Sequence, residues 1–188
     1  MIKEITLPLT DETAAELRAG DKISLSGEIY VARDAAHERI VNMIKNGEQP
    51  PLEIKNAAVY YAGSSPTKQG EIIGVIGPTT AGRMDAYTPF LLDRGLRVMI
   101  GKGKRSKEVT ESIVKNKAVY LGASGGAAVL LQNSVVEAWL TAWEELGPEA
   151  LLRLKVKKMP LVVVIDSFGS CLYDIGQAEA RKIMNAEE

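Results

Sequence analysis

Short runs of β-branched and aromatic residues alternate in this chain with segments of helical period, and the changes of period fall at Gly, Pro or capping residues. Such alternation restricts the chain to folds in which strands and helices share a core. Residues 2–9 alternate apolar with other side chains; Thr10 or Asp11 can then cap a short helix over about 12–18, closed by Gly20. Lys22–Val31 reads as a strand with Gly27 as a bulge or turn, and it runs directly into a helix in which Ile40, Val41 and Ile44 share a face and Gly47 is the stop.

After the loop at Pro50 and Pro51, residues 57–62 predict a buried strand and 63–70 a turn-rich connection. Residues 71–76 predict a strand, 79–94 a helix, 96–100 a strand, 106–115 a helix and 118–121 a strand. A Gly-rich turn at 122–126 precedes the apolar run 127–131; Trp139 and Trp143 follow, then a helix at 148–152 and a strand at 161–165. The class is therefore α/β. The β-rich first third points to a mixed sheet or two sheets and not to a uniform doubly wound fold. At 188 residues the expectation is one domain over 1–188 with one core.

Lys plus Arg number 23 against 24 for Asp plus Glu, so no global field recruits nucleic acid or an anionic membrane surface. A small anion must instead be held by locally placed cations. The apolar stretch 161–165 is far shorter than the roughly 20 residues that span a bilayer, and MIKEITLPLT has no signal-peptide character, which predicts a cytoplasmic protein. Cys171 is the only cysteine. That excludes an intrachain disulfide and a self-contained iron–sulfur cluster, so a cluster of that kind has to come from a partner.

Three segments gather chemistry. In ARDAAH, Arg33 lies at a strand-to-helix junction beside the free N–H groups of a helix start, a place that suits a carboxylate. The plainer alternative has Asp34 capping the helix, Arg33 paired with an acidic neighbour, and His37 as a surface or packing residue. In GPTTAGRMD, Arg83 follows Thr79 by one helical turn, so a hydroxyl and a guanidinium can share a face; alternatively Thr79 is a cap, and Arg83 and Asp85 are solvated charges. The segment lacks the Lys-Ser/Thr ending of a phosphate loop. In GKGKRS, Lys102, Lys104 and Arg105 cluster before a helix, which also describes a solvated basic turn. Gly125 and Gly126 mark a ligand contact or merely a turn, and Trp139 with Trp143 a packing face or partner interface.

Taken in order, GEIYVARDAAHERI, AVYYAG, IGPTTAGRMDAY, GKGKRS, YLGASGGAA, ELGPEA and MPLVVVIDSFG resemble the carboxy-terminal part of class I fumarases, or their separate beta subunit. ARDAAH and GPTTAGRMD at their separation carry most of that resemblance. It implies a swivelling β/β/α domain with mixed sheets, working beside an alpha subunit that holds a [4Fe–4S] cluster. It further implies Arg33 and Arg83 as carboxylate binders, Lys102 as a further substrate cation and Thr79 as the proposed base at carbon, with no metal ligand in this chain. The implied activity is reversible hydration of fumarate to L-malate, a C4 dicarboxylate reaction, in a hetero-oligomer. The alternatives are the related beta subunit of L-tartrate dehydratase and, in another class, a carboxylate-binding or assembly module without catalysis. Ser64, Ser65 and the run 157–159 depart from the family pattern, and both departures are expected to lie away from the site.

Overall fold

The structure, a computed structural model, describes residues 1–67 and 69–186. Its elements are β1 (Ile2–Thr6), α1 (Asp11–Glu16), β2 (Lys22–Val31), α2 (Asp34–Lys45), β3 (Ala58–Tyr60), β4 (Ala62–Ser64), β5 (Ile76–Pro78), α3 (Thr88–Leu92), β6 (Val98–Gly101), α4 (Lys107–Lys115), β7 (Val119–Gly122), α5 (Ala128–Gln132), β8 (Val135–Ala142), β9 (Leu151–Ile165) and α6 (Leu172–Ala186).

Seven strands form one sheet in the order β1-β2-β3-β6-β7-β9-β8, and β2 also pairs with β9, which closes β2, β3, β6, β7 and β9 into a barrel. The pairs from β1 through β7 are parallel, whereas β9 runs antiparallel to β2, β7 and β8. The α/β reading with mixed sheets therefore holds. A separate ribbon pairs β4 with β5.

Side-chain alternation divides the core. Ala58, Tyr60, Val98, Ile100, Val119 and Leu121 join the cluster that fills the barrel. Their sequence neighbours Val59, Met99 and Tyr120 belong to a second cluster with Ile40 of α2, Leu91 of α3 and Ile113 of α4. Both faces of these strands are buried, so the single core expected from length becomes two clusters separated by the sheet. Gly27 is the predicted bulge: the β2–β9 register shifts there, its φ is +127°, and a Cβ would lie 2.8 Å from that of Leu7.

Several elements differ from expectation. Residues 71–76 are not a strand; only Ile76–Pro78 pairs, and only with β4. Residues 79–94 do not form one helix. Thr79 is instead drawn into backbone pairing with a distant part of the same chain, its N–H donating to the Tyr61 carbonyl at 2.7 Å, and a 3-10 turn at Ala81–Met84 is followed by α3. In place of a helix at 148–152 there is a 3-10 turn over Glu144–Glu149, kinked at Gly147, and then β9. The strand expected at 161–165 is the end of that 15-residue strand, and α6 was not anticipated. No helix among the described residues is long and apolar enough to cross a membrane.

Candidate active site

Arg33 stands at the N-cap of α2, where β2 has just ended, and makes no side-chain capping bond. Nor does Asp34 cap the helix. That role falls to Glu149, whose Oε2 accepts from the Ala35 N–H at 3.1 Å while its Oε1 lies 3.1 Å from Arg33 Nη2. Asp34 Oδ2 sits between two guanidiniums, 3.9 Å from Arg33 Nε and 3.8 Å from Arg83 Nη1. Both distances exceed hydrogen-bond range, and Arg33 Nε and Asp34 Oδ2 are buried without hydrogen-bond partners.

His37 lies one turn into α2 and is fully buried. Its Nδ1–H donates to the Arg33 carbonyl at 2.8 Å, and its ring meets Tyr61 edge-on at 5.2 Å. Burial, helped by the charge of Arg105, pushes its pKa down to about 4 against the opposing pull of the Arg33 carbonyl, so the ring is neutral at pH 7. Of the roles open to His37, the structure assigns packing.

Backbone pairing brings the second and third motifs together. The Lys102 N–H donates to the Thr79 carbonyl at 3.3 Å, and the Ala81 N–H donates to the Lys102 carbonyl at 2.9 Å. Thr79 and Lys102 are thereby neighbours, with Arg83 on the following 3-10 turn. A buried ion pair clamps the same two loops. Arg105, whose side chain is fully buried, donates from Nε to Asp85 Oδ1 at 2.6 Å and from Nη2 to Thr88 Oγ1 at 2.7 Å. Its guanidinium lies over the rings of Tyr61 and Tyr120, while Asp85 Oδ2 accepts from the Ser106 N–H. Asp85 is therefore no solvated charge, and the three cations of GKGKRS do not act together. Lys104 pairs with Asp174 of α6, Arg105 is interior, and only Lys102 reaches the cleft.

That cleft, of about 450 Å³, is lined by Arg33, Thr79, Arg83 and Lys102 together with Ser64 and Ser65. All four side chains singled out from the sequence thus share one cavity. Ser64 and Ser65 correct an expectation, because the β4–β5 ribbon folds them against the site. The other departure stays away: Met159 is buried in the barrel and Lys158 pairs with Glu4. Glu149, missed from sequence, comes from 114 positions beyond Ala35, and nothing in local spacing points to it. Gly125 and Gly126 lie in a 3-10 turn over Gly125–Ala127, and Gly126 does not line the cleft. Trp139 lies on β8 under Arg153, and Trp143 packs on the outer cluster.

Three cations beside the hydroxyl residues Ser64, Ser65, Thr79 and Thr80 make a cleft suited to carboxylate anions: Arg offers a planar fork and Lys a point charge. A cluster is another matter. Cys171 is a lone, partly buried thiol at the foot of α6, and among the described residues no three His, Cys, Asp or Glu side chains gather as a metal site. Among the described residues, a lone thiol without such a group does not fit an iron–sulfur cluster, which takes three or four ligands.

Residues 2–176 match the family described as Fumarase C-terminus. The chain is 41% identical over 156 residues to "Fumarate hydratase 2" of Leishmania major, covering 82% of this chain and 28% of that protein. It is 37% identical over 172 residues to "Putative L(+)-tartrate dehydratase subunit beta" of Methanocaldococcus jannaschii, covering 88% of each. With "L(+)-tartrate dehydratase subunit beta" of Escherichia coli it shares 34% identity over 179 residues, 92% of this chain and 87% of that one. The chain therefore spans little more than a quarter of the fumarate hydratase it matches and most of each beta subunit. With a family match over nearly all of its described residues, the chain belongs to the Fumarase C-terminus family.

Proposed function

We propose that this chain is the beta subunit of a hydro-lyase that reversibly hydrates fumarate to L-malate in the cytoplasm, at a site completed by an alpha subunit carrying a [4Fe–4S] cluster. The observation that carries the reading is the convergence of Arg33, Arg83 and Lys102 around Thr79 in one cleft. Higher identity to a fumarate hydratase than to the tartrate dehydratase subunits supports the substrate. The absence of a cluster-ligand set among the described residues favours assigning the cluster to the partner.

In this reading the two arginines and Lys102 hold the carboxylates, fixing the C2–C3 bond over Thr79. Thr79 Oγ1, in its ionised form, takes the C3 proton as the C2–O bond of malate breaks, the hydroxide leaving toward the Lewis acid that the partner's cluster would supply, and returns the proton on hydration. A threonine hydroxyl is a poor base in water, so the role depends on the surrounding positive charge favouring its ionised form. The same cations stabilise the charge that accumulates on the carboxylate next to the reacting carbon.

A second reading, the beta subunit of L-tartrate dehydratase, is favoured by the extent of the match to those subunits, 88% and 87% of their length. Anaerobic co-expression with the alpha subunit of the same organism, followed by assays on fumarate, L-malate, mesaconate and L-tartrate, separates the two. The expected result is a brown complex that interconverts fumarate and malate, while this chain alone is colourless and inactive. Preferential turnover of tartrate selects the second reading; binding of dicarboxylates without turnover of any of them selects a non-catalytic module.

A further inference from the structure

The carboxylate of Glu149 sits where a ligand carboxylate would first be sought. One oxygen is 3.1 Å from Arg33 Nη2, and the other accepts from the first turn of α2. The 3-10 turn that carries it forms a rim of the cleft through Pro148. That turn is tied down twice more, since Arg39 of α2 pairs with Glu145 and lies 5.6 Å from the Trp143 ring.

Arg33 has little other support. Its Nε is buried with no hydrogen-bond partner, and Asp34, its only other ion-pair neighbour among the described residues, stays at 3.9 Å. Gly63 closes one side: a Cβ there would lie 3.1 Å from Nη1. Hence Glu149 is the group that decides which way the guanidinium faces.

We propose that Glu149 is a positioning residue for Arg33, holding one side of the guanidinium so that the remaining donors stay turned toward a carboxylate in the cleft. The inference rests on the reading of Arg33 as a carboxylate binder. A fork already fixed by an acid loses less rotamer freedom when its ligand arrives, which favours binding without touching the chemical step. If Glu149 instead competed with the ligand for the fork, its removal would tighten binding.

The test uses the complex of this chain with its alpha subunit, L-malate as the probe, and the variants Arg33→Ala, Glu149→Gln and the double substitution. Glu149→Gln is expected to raise KM about tenfold by losing the charge-assisted contact, with kcat held within about twofold. Because the effect runs through Arg33, the double variant should be no worse than Arg33→Ala alone. The Gln amide oxygen can still accept from the Ala35 N–H, so the thermal midpoint should move by only a few degrees or less, about what one lost contact shifts it. An unchanged or lowered KM in Glu149→Gln, or a penalty that adds in full to that of Arg33→Ala, overturns the inference while leaving Arg33 in place. If Arg33→Ala itself leaves KM unchanged, the carboxylate reading of Arg33 fails, and the role of Glu149 falls with it.

Discussion

At the scale of single residues, the proposal for Thr79 separates chemistry from binding. In Thr79→Ala the carboxylates still meet Arg33, Arg83 and Lys102, so KM should change little while kcat falls by about 10²-fold or more. Exchange of the malate C3 proton with solvent deuterium reads the base directly. Wild-type exchange in the variant would move the base to another residue and leave Thr79 with its backbone role beside Lys102. The four side chains were singled out by the family resemblance that ARDAAH, GPTTAGRMD and GKGKRS carry, since residue pattern alone left each of these segments a purely structural alternative. Ser64 and Ser65, which line the cleft, and Glu149, which pairs with Arg33, could not be, because the β4–β5 ribbon and a 3-10 turn far along the chain bring them there. The burial of Arg105 was equally hidden. A cation two places after Gly103 looks the same in sequence whether water or Asp85 receives it.

At the scale of elements, the site is two loops clamped together, and the clamp should dominate their stability. Arg105→Met leaves Asp85, only 17% exposed, without its partner, and breaking such a pair costs about 3–5 kcal/mol. Lys104→Met removes a pair exposed at 52% and 70%, worth about 1 kcal/mol or less. Urea unfolding of the two variants checks the contrast, and equal losses would mean that the loops do not depend on the clamp. The helix expected over 79–94 fails for a related reason. Thr79 and Ala81 spend their backbone groups on Tyr61 and Lys102, contacts that no local periodicity encodes. β9 was legible only where it is uniformly apolar. Over 153–158 its charged residues interrupt the buried ones, and the pattern resembles a surface segment.

At the scale of the whole molecule, the α/β class with mixed sheets was readable from alternating periods, whereas barrel closure was not, because it depends on pairing β2 with β9 across most of the sequence. The buried His37 gives this scale its own prediction. Its folded pKa of about 4 lies below the unfolded value of 6.5, so between those pH values the unfolded chain binds a proton that the folded chain refuses. The stability this represents, about 3 kcal/mol, is intact above pH 6.5 and disappears as the pH falls toward 4. His37 is the only histidine. Unfolding free energies measured from pH 7 to 4 should therefore fall more steeply in the wild type than in His37→Asn, by up to one proton, and parallel curves would place the ring in water. The closing strand also sets how this protein reaches its native state. Lys158 donates to Ser26 from 132 residues away, and β9 touches three other strands. A nascent chain exposes the inner faces of β2, β3, β6 and β7 until β9 has been synthesised. The entropy of closing so long a loop has to be met before those contacts reward it, which makes the pairing of β2 with β9 the step that sets the pace of folding.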